Sequence, residues 1–232
     1  MVEERIPGEA LVGGRGQLHW GDGEGPVIGV LALQGDVLEH LRMLGACGAR
    51  ARPVKRPEEL SGLDGIVVPG GESTTIGRLL QRYQLLEPLR ALLRAGLPAF
   101  GTCAGAILLG RSALTADGEP SDQPLLGVMD TVVRRNAFGR QVDSFEADLD
   151  VSGLDGGPMH AVFIRAPWIE EVSPDVEVLA AVNPVDRDGN PVGARVVLAR
   201  QGRILVSAFH PELTGDSRLH RLFVEIVHES ER

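Results

Sequence analysis

The chain has 232 residues and a mass of 24.8 kDa, which suits one large domain or at most two small ones. Hydrophobic residues make up 43% and charged residues 24%, an ordinary globular balance that excludes wholesale disorder and lets roughly 70% of the unfolded surface be buried. Acids outnumber bases 32 to 23, a net charge of −9, which argues against a nucleic-acid module; the two cysteines, Cys47 and Cys103, exclude a disulfide scaffold and a multi-thiolate zinc site.

No apolar run approaches the roughly 20 residues of a membrane span, and the N-terminus lacks the charged start and apolar stretch of a secretion signal. A cytoplasmic protein is expected. Residues 1–26 hold seven glycines and no sustained hydrophobic period, so they read as a flexible extension or a mis-assigned start, outside the fold. The body, 27–232, reads as a single domain, since no linker divides it.

VIGVLAL (27–33) is a continuous apolar run of the kind that forms a strand buried on both faces. Val37, Leu38, Leu41 and Leu44 then fall at helical spacing, with Asp36 as a plausible N-cap and Gly45 or Gly48 near the stop. GIVVPGGES (65–73) is a short buried strand entering a glycine turn. A helical stretch follows, broken near Pro88, and LPAFGTCAGAILLG (97–110) is strand, tight turn and helix again. This threefold recurrence predicts a three-layer, doubly wound α/β fold with a mostly parallel sheet. In the second half, LLGVMDTVVRR, FEADLDV, HAVFIRA and VEVLAAV read as short strands. ARVVLARQGRILVSAFHPE reads as a hairpin turning at Gln201-Gly202, and DSRLHRLFVEIVHES as a closing amphipathic helix.

Gly101-Thr102-Cys103-Ala104-Gly105 lies between a buried strand and a helix, the pattern of a nucleophile elbow with cysteine as the nucleophile. At a helix N-terminus the thiolate is favoured. Taken alone, Cys103 can equally be a buried small hydrophobe between packing glycines. His210-Pro211-Glu212 ends the apolar strand ILVSAF. Residues two apart on an extended chain project to one side, so Glu212 can orient His210, and His210 can serve Cys103 as base and then as acid. The bland alternative is a strand-ending turn with two solvated polar groups. The other histidines lack this context, and His220 and His228 read as surface residues of the last helix.

Pro69-Gly70-Gly71-Glu72-Ser73 stands at a second strand end. A glycine pair exposes backbone N–H groups, and with the N–H of Ala104 it can hold the oxyanion of acyl transfer. Ser73 can equally be an ordinary N-cap. Together these segments offer a nucleophile, a base, an orienting acid and oxyanion donors, the parts of a Cys-His-Glu amidotransferase.

LALQGDVLEH (31–40), PGGESTTIGRLL (69–80), FGTCAGAILL (100–109), RNAFGRQVDSFEADL (135–149), FIRAP (163–167) and FHPELTGD (209–216) together resemble the PdxT family, the glutaminase subunits of pyridoxal 5′-phosphate synthase. The resemblance runs from about residue 27 to 229. GTCAG and HPE are shared across class I glutamine amidotransferases, whereas LALQG…EH, RNAFGRQ and FIRAP are particular to the vitamin B6 branch. It implies the flavodoxin-like fold of that class and hydrolysis of L-glutamine to glutamate and ammonia, with Cys103, His210 and Glu212 as triad. It further implies glutamine contacts at Gly71, Glu72, Ser73, Arg135, Ile164 and Arg165, and a place for Gln34 beside the oxyanion site with Gly71 and Ala104. The implied partner is a (β/α)₈ synthase subunit that receives the ammonia within a large ring assembly. No metal and no cofactor is implied for the glutaminase itself; pyridoxal phosphate is the partner's product. Three stretches depart from the family pattern: residues 1–26, a slightly enlarged loop at 115–124 and a longer charged turn at 183–194. A glutaminase of another pathway, a non-catalytic regulatory subunit and a different cysteine hydrolase are the competing readings. RNAFGRQ and FIRAP oppose the first, and the intact Cys103, His210 and Glu212 oppose the second.

Overall fold

The computed structural model describes residues 9–10, 19–21, 24–137, 144–184 and 193–230. In chain order the strands are β1 (Glu9–Ala10), β2 (His19–Trp20), β3 (Val27–Leu31), β4 (Arg50–Val54), β5 (Gly65–Val68), β6 (Ala99–Thr102), β7 (Gly110–Leu114), β8 (Met129–Arg134), β9 (Ser144–Leu149), β10 (Met159–Ile164), β11 (Trp168–Val172), β12 (Glu177–Val182), β13 (Arg195–Gln201) and β14 (Ile204–Ser207). The helices are α1 (Val37–Ala46), α2 (Ser73–Arg82), α3 (Leu86–Arg94), α4 (Ala104–Leu109) and α5 (Arg218–Ser230).

Among the described residues, 12 strands join in one sheet of order β1-β2-β4-β3-β5-β6-β14-β13-β11-β8-β7, with β12 paired to β13. Its centre, β4-β3-β5-β6-β14, is parallel throughout. The remaining pairs are antiparallel except β7 with β8. The parallel centre is buried on both faces because its residues alternate between two cores. Ile28, Val30, Val67, Phe100 and Leu205 join one cluster with α1, α5 and the separate β9-β10 hairpin. Leu31, Ile66, Val68, Ala99 and Val206 join the other with α2, α3 and α4. This is the expected three-layer sandwich, and its near-continuous apolar strands are what burial on both faces demands.

Several local expectations change. The helical stretch after Ser73 breaks not at Pro88 but at Tyr83–Leu85, where Gln84 takes φ 58°. Pro88 sits in the first turn of α3, where its missing N–H costs nothing. Within the body, 27–232, three described strands escape the sequence pattern: β4, which carries a proline, β7 and β11. His220 is fully buried rather than at the surface, whereas His228 is exposed. Part of residues 1–26 is built into the sheet: β1 pairs with β2, and Trp20 pairs with Ala51 along the outer side of β4. Residues 138–143, within the RNAFGRQVDSFEADL segment, and 185–192, within the charged turn, lie outside the described residues.

Candidate active site

Four loops leave the C-terminal ends of β3, β5, β6 and β14 and meet at one edge of the sheet, where open α/β sheets place their ligands. They enclose a cleft of about 290 Å³, at the small end of ligand pockets.

Cys103 stands at the turn between β6 and α4 with φ 48° and ψ −102°, a conformation that L-residues rarely hold. Two things fix it. Its N–H donates to the Ser207 carbonyl at 2.8 Å, continuing the parallel register in which Ser207 faces Thr102. Its flanking glycines permit close packing: a Cβ on Gly105 would lie 1.9 Å from the Val68 oxygen, and one on Gly101 would lie 2.7 Å from the Gly105 carbonyl carbon. The G-x-C-x-G spacing is therefore a packing requirement of the elbow. Cys103 is 7% exposed and has no disulfide partner.

His210 reaches the same cleft from the end of β14. Its Nδ1 lies 2.7 Å from Glu212 Oε1, and its ring shares the cleft with the Cys103 sulfur, which favours the protonated imidazole. Glu212 does not line the cleft; its side chain is wholly buried behind the imidazole. A second carboxylate, Asp36 Oδ2, stands 3.4 Å from the same Nδ1. Burial alone would lower the pKa of His210, but Asp36, Cys103 and Glu212 outweigh it and push it up to about 12. Glu212 shifts upward because burial penalises its charge, against the pull of His210. Asp36 is held low, chiefly by its hydrogen bond to His210. Sequence pattern casts Asp36 as an N-cap. It occupies that position of α1 but makes no capping bond, its carboxylate having turned to His210.

The glycine pair serves side chains as well as N–H groups. A Cβ on Gly70 would meet His210 Cε1 at 2.5 Å, and one on Gly71, at φ 147°, would meet Gln34 Oε1 at 2.6 Å. Gln34 accepts the Glu72 N–H at 2.8 Å, tying the β3 loop to the β5 loop. Glu72, not Ser73, caps α2: its carboxylate accepts from the N–H groups of Thr74 and Thr75. The same carboxylate binds Arg135 Nη2 at 2.8 Å. Ser73 opens the helix, is nearly buried, and donates its hydroxyl to Gln123 at 3.1 Å. Gln123 belongs to the 115–124 loop, which thereby braces the cleft wall.

Gln34, Gly71, Glu72 and Ser73 line the cleft together with Cys103 and Ala104. Arg135, Ile164 and Arg165 line it too. Arg165 and Asn136 beside them both adopt left-handed backbone, φ 43° and 45°, which turns these loops sharply into the opening. Sequence reasoning missed Asp36, Ile107, Asn136, Pro167 and Leu213 as lining residues. Only Asp36 left a legible trace, as a polar residue just past a buried strand.

Among the described residues, Asp36, His210 and Glu212 are the group whose ligating atoms all lie within 4.8 Å of one another. Both carboxylates already converge on a single imidazole nitrogen, an arrangement that binds a proton.

The profile of the SNO glutamine amidotransferase family matches residues 30–229. The chain belongs to this family. It is 62% identical over 206 residues to the pyridoxal 5′-phosphate synthase subunit PdxT of Frankia alni, covering 89% of this chain and 97% of that protein. The PdxT subunit of Rhodococcus jostii is 58% identical over 202 residues, covering 87% and 97%. A crystal structure of a glutamine amidotransferase superimposes with a TM-score of 0.75 at 50% identity, over 87% of this chain and 98% of that one. The resemblance read from LALQG, GTCAG, RNAFGRQ, FIRAP and HPE is thus borne out, as is the fold class. Among the described residues no helix is long and apolar enough to cross a membrane.

Proposed function

We propose that this protein is the glutaminase subunit of a pyridoxal 5′-phosphate synthase, releasing ammonia from L-glutamine for a partner synthase. The observation that carries the reading is the convergence of Cys103, His210 and Glu212 from two strand ends. Kinship with PdxT proteins at 62% and 58% identity supports the pathway.

The imidazolium of His210 faces Cys103, so sulfur attacks the side-chain amide carbon as an anion. The tetrahedral oxyanion lies against backbone N–H groups of the Gly71 turn and of Ala104, with Gln34 holding that turn in place. His210 passes its proton to the departing nitrogen, the C–N bond breaks, and ammonia leaves a thioester on Cys103. Water, deprotonated by the now neutral His210, cleaves the thioester to glutamate and restores the thiolate–imidazolium pair. Glu212 holds the His210 ring and compensates its charge. Glu72 and Arg135, paired across the opening, match the α-ammonium and α-carboxylate of an amino acid; Arg165 adds a second cation, and Ser73 and Ile164 complete the contacts.

Ammonia in bulk water protonates and diffuses away, so the partner must dock over the cleft mouth. The assembly we propose is a ring of (β/α)₈ synthase subunits carrying glutaminases, in the cytoplasm, with residues 1–26 as an extension that adds β1 and β2 to the edge of the sheet of the single domain 27–232. The test is Cys103→Ala, assayed for glutamate release with and without the synthase subunit. Loss of at least 10³-fold with docking retained is expected, by analogy with removal of other covalent nucleophiles. Activity within tenfold of wild type would end the assignment of Cys103.

A further inference from the structure

Behind the cleft lies a polar layer that the chemistry above does not use. His40 on α1 and His220 on α5 are both fully buried, each with its ring against Phe100, which in turn packs on Phe223. His40 Nδ1 is 2.9 Å from His220 Nε2. His40 Nε2 is 3.0 Å from Thr102 Oγ1 and 3.5 Å from Glu212 Oε2. Thr102 immediately precedes Cys103, so one imidazole touches both the strand that carries the sulfur and the acid that holds the base. Glu212 Oε2 is buried and has no hydrogen-bond partner at bonding distance, a costly state for a carboxylate.

The bonds of His40 to Thr102 and to His220 admit two proton arrangements, and the neighbouring carboxylate favours one. A carboxylate only accepts, so His40 Nε2 carries its proton toward Glu212 and Thr102. A neutral His40 then has a bare Nδ1, which accepts from His220 Nε2–H. This leaves His220 Nδ1 bare, and it is the ring nitrogen without a partner. Burial lowers the pKa of both rings, His220 to about 4, which keeps them neutral.

We propose that His40 is a positioning residue whose Nε2–H, shared with Thr102, closes from 3.5 Å to donate to Glu212 Oε2, its tautomer fixed by His220, so that Glu212 stays ionised and aimed at His210. The groups facing Glu212 are His210, Asp36 and His40, with His220 behind His40. Losing the His40 donor leaves Glu212 easier to protonate, so activity fails at higher pH on the acid side. The inference rests on the triad reading above, but its first test does not need turnover.

Nitrogen-15 NMR of the full-length chain should show His40 protonated at Nε2 only, with no titration between pH 5 and 8. A proton on Nδ1 overturns the proposal, whatever Cys103→Ala does. In glutamate release with the synthase subunit added, His40→Leu should lower kcat about 10–100-fold with KM within about twofold, and move the acid limb of the kcat/KM profile to higher pH. His40→Gln, whose amide can still donate, should recover most of the loss. Should His40→Leu fail to fold, His40→Gln and His220→Leu carry the test. His220→Leu should show a smaller loss and the same shift of the limb. A limb unmoved in every folded variant, or a His40→Leu protein with wild-type kcat, overturns the proposal.

Discussion

Replacing Glu212 with Gln isolates the charge of the acid behind His210. The side chain is wholly buried and the two residues are nearly isosteric, so no cavity opens and the fold should persist. What disappears is a charge-assisted hydrogen bond across 2.7 Å. Such bonds are worth about 1.5–3 kcal/mol, or about 10–150-fold in rate. The amide can also turn its NH₂ toward Nδ1, forcing the proton onto the nitrogen that should serve the sulfur; wrong-tautomer triads lose about 10⁴-fold. Asp36, 3.4 Å from the same nitrogen, works against that outcome by offering a second acceptor. The expected loss in kcat is therefore intermediate, about 10²–10³-fold, with KM within about threefold. Asp36→Asn alone should cost less, and the double variant should approach 10⁴-fold because each carboxylate covers for the other. The assay is steady-state glutamate release with the synthase subunit present. Glu212→Gln within fivefold of wild type would refute the reasoning, and a larger loss in Asp36→Asn would make Asp36 the orienting acid.

Arg135→Ala removes a half-exposed ion pair, so stability should change by no more than about 1 kcal/mol. If Arg135 meets the substrate carboxylate, KM for glutamine should rise about tenfold or more while kcat holds within about threefold; an unchanged KM would remove it from the substrate. The buried histidines predict an acid-sensitive fold. His220 has a folded-state pKa lowered from 6.5 to about 4, so the unfolded chain binds its proton first. Its contribution is complete above pH 6.5 and is lost as pH falls toward 4, about 3 kcal/mol over that window, and His40 adds in the same direction. Urea titrations across pH 4–7 should show this decline, and His220→Leu should flatten it; an unchanged slope would show that His220 is not the neutral buried group.

Pattern in the sequence revealed the parallel centre of the fold because its strands are apolar on both faces and each ends in a marked turn. It revealed Cys103 and His210 for the same reason, since each lies where an apolar run stops. The β4, β7 and β11 strands escape the pattern: Pro53 breaks the strand signature of the first, and GRSAL and WIEEV carry charged or polar residues in place of a continuous apolar run. Arg135 and Arg165 came only through family resemblance, for an arginine's own chemistry does not separate a surface charge from a substrate contact. His220 was misread because its polarity was weighed above its position. It lies at i, i+3, i+4 and i+7 with Phe223, Val224 and Val227, on the buried stripe of α5. His40 sits likewise in line with Val37, Leu41 and Leu44 on α1.

The pairing of β14 with β6 has a consequence for how the enzyme comes into being. Sulfur and imidazole are encoded a hundred residues apart, and they meet only when Ser207 settles opposite Thr102. A slip of one residue would turn every side chain of β14 to the other face. During synthesis, a ribosome-bound chain can assemble the early strands and the elbow, yet it has no proton carrier until the last fragment of the sheet emerges and slots between two strands already made. Glutamine is therefore safe from half-finished copies: the switch that starts chemistry is completion of the fold itself.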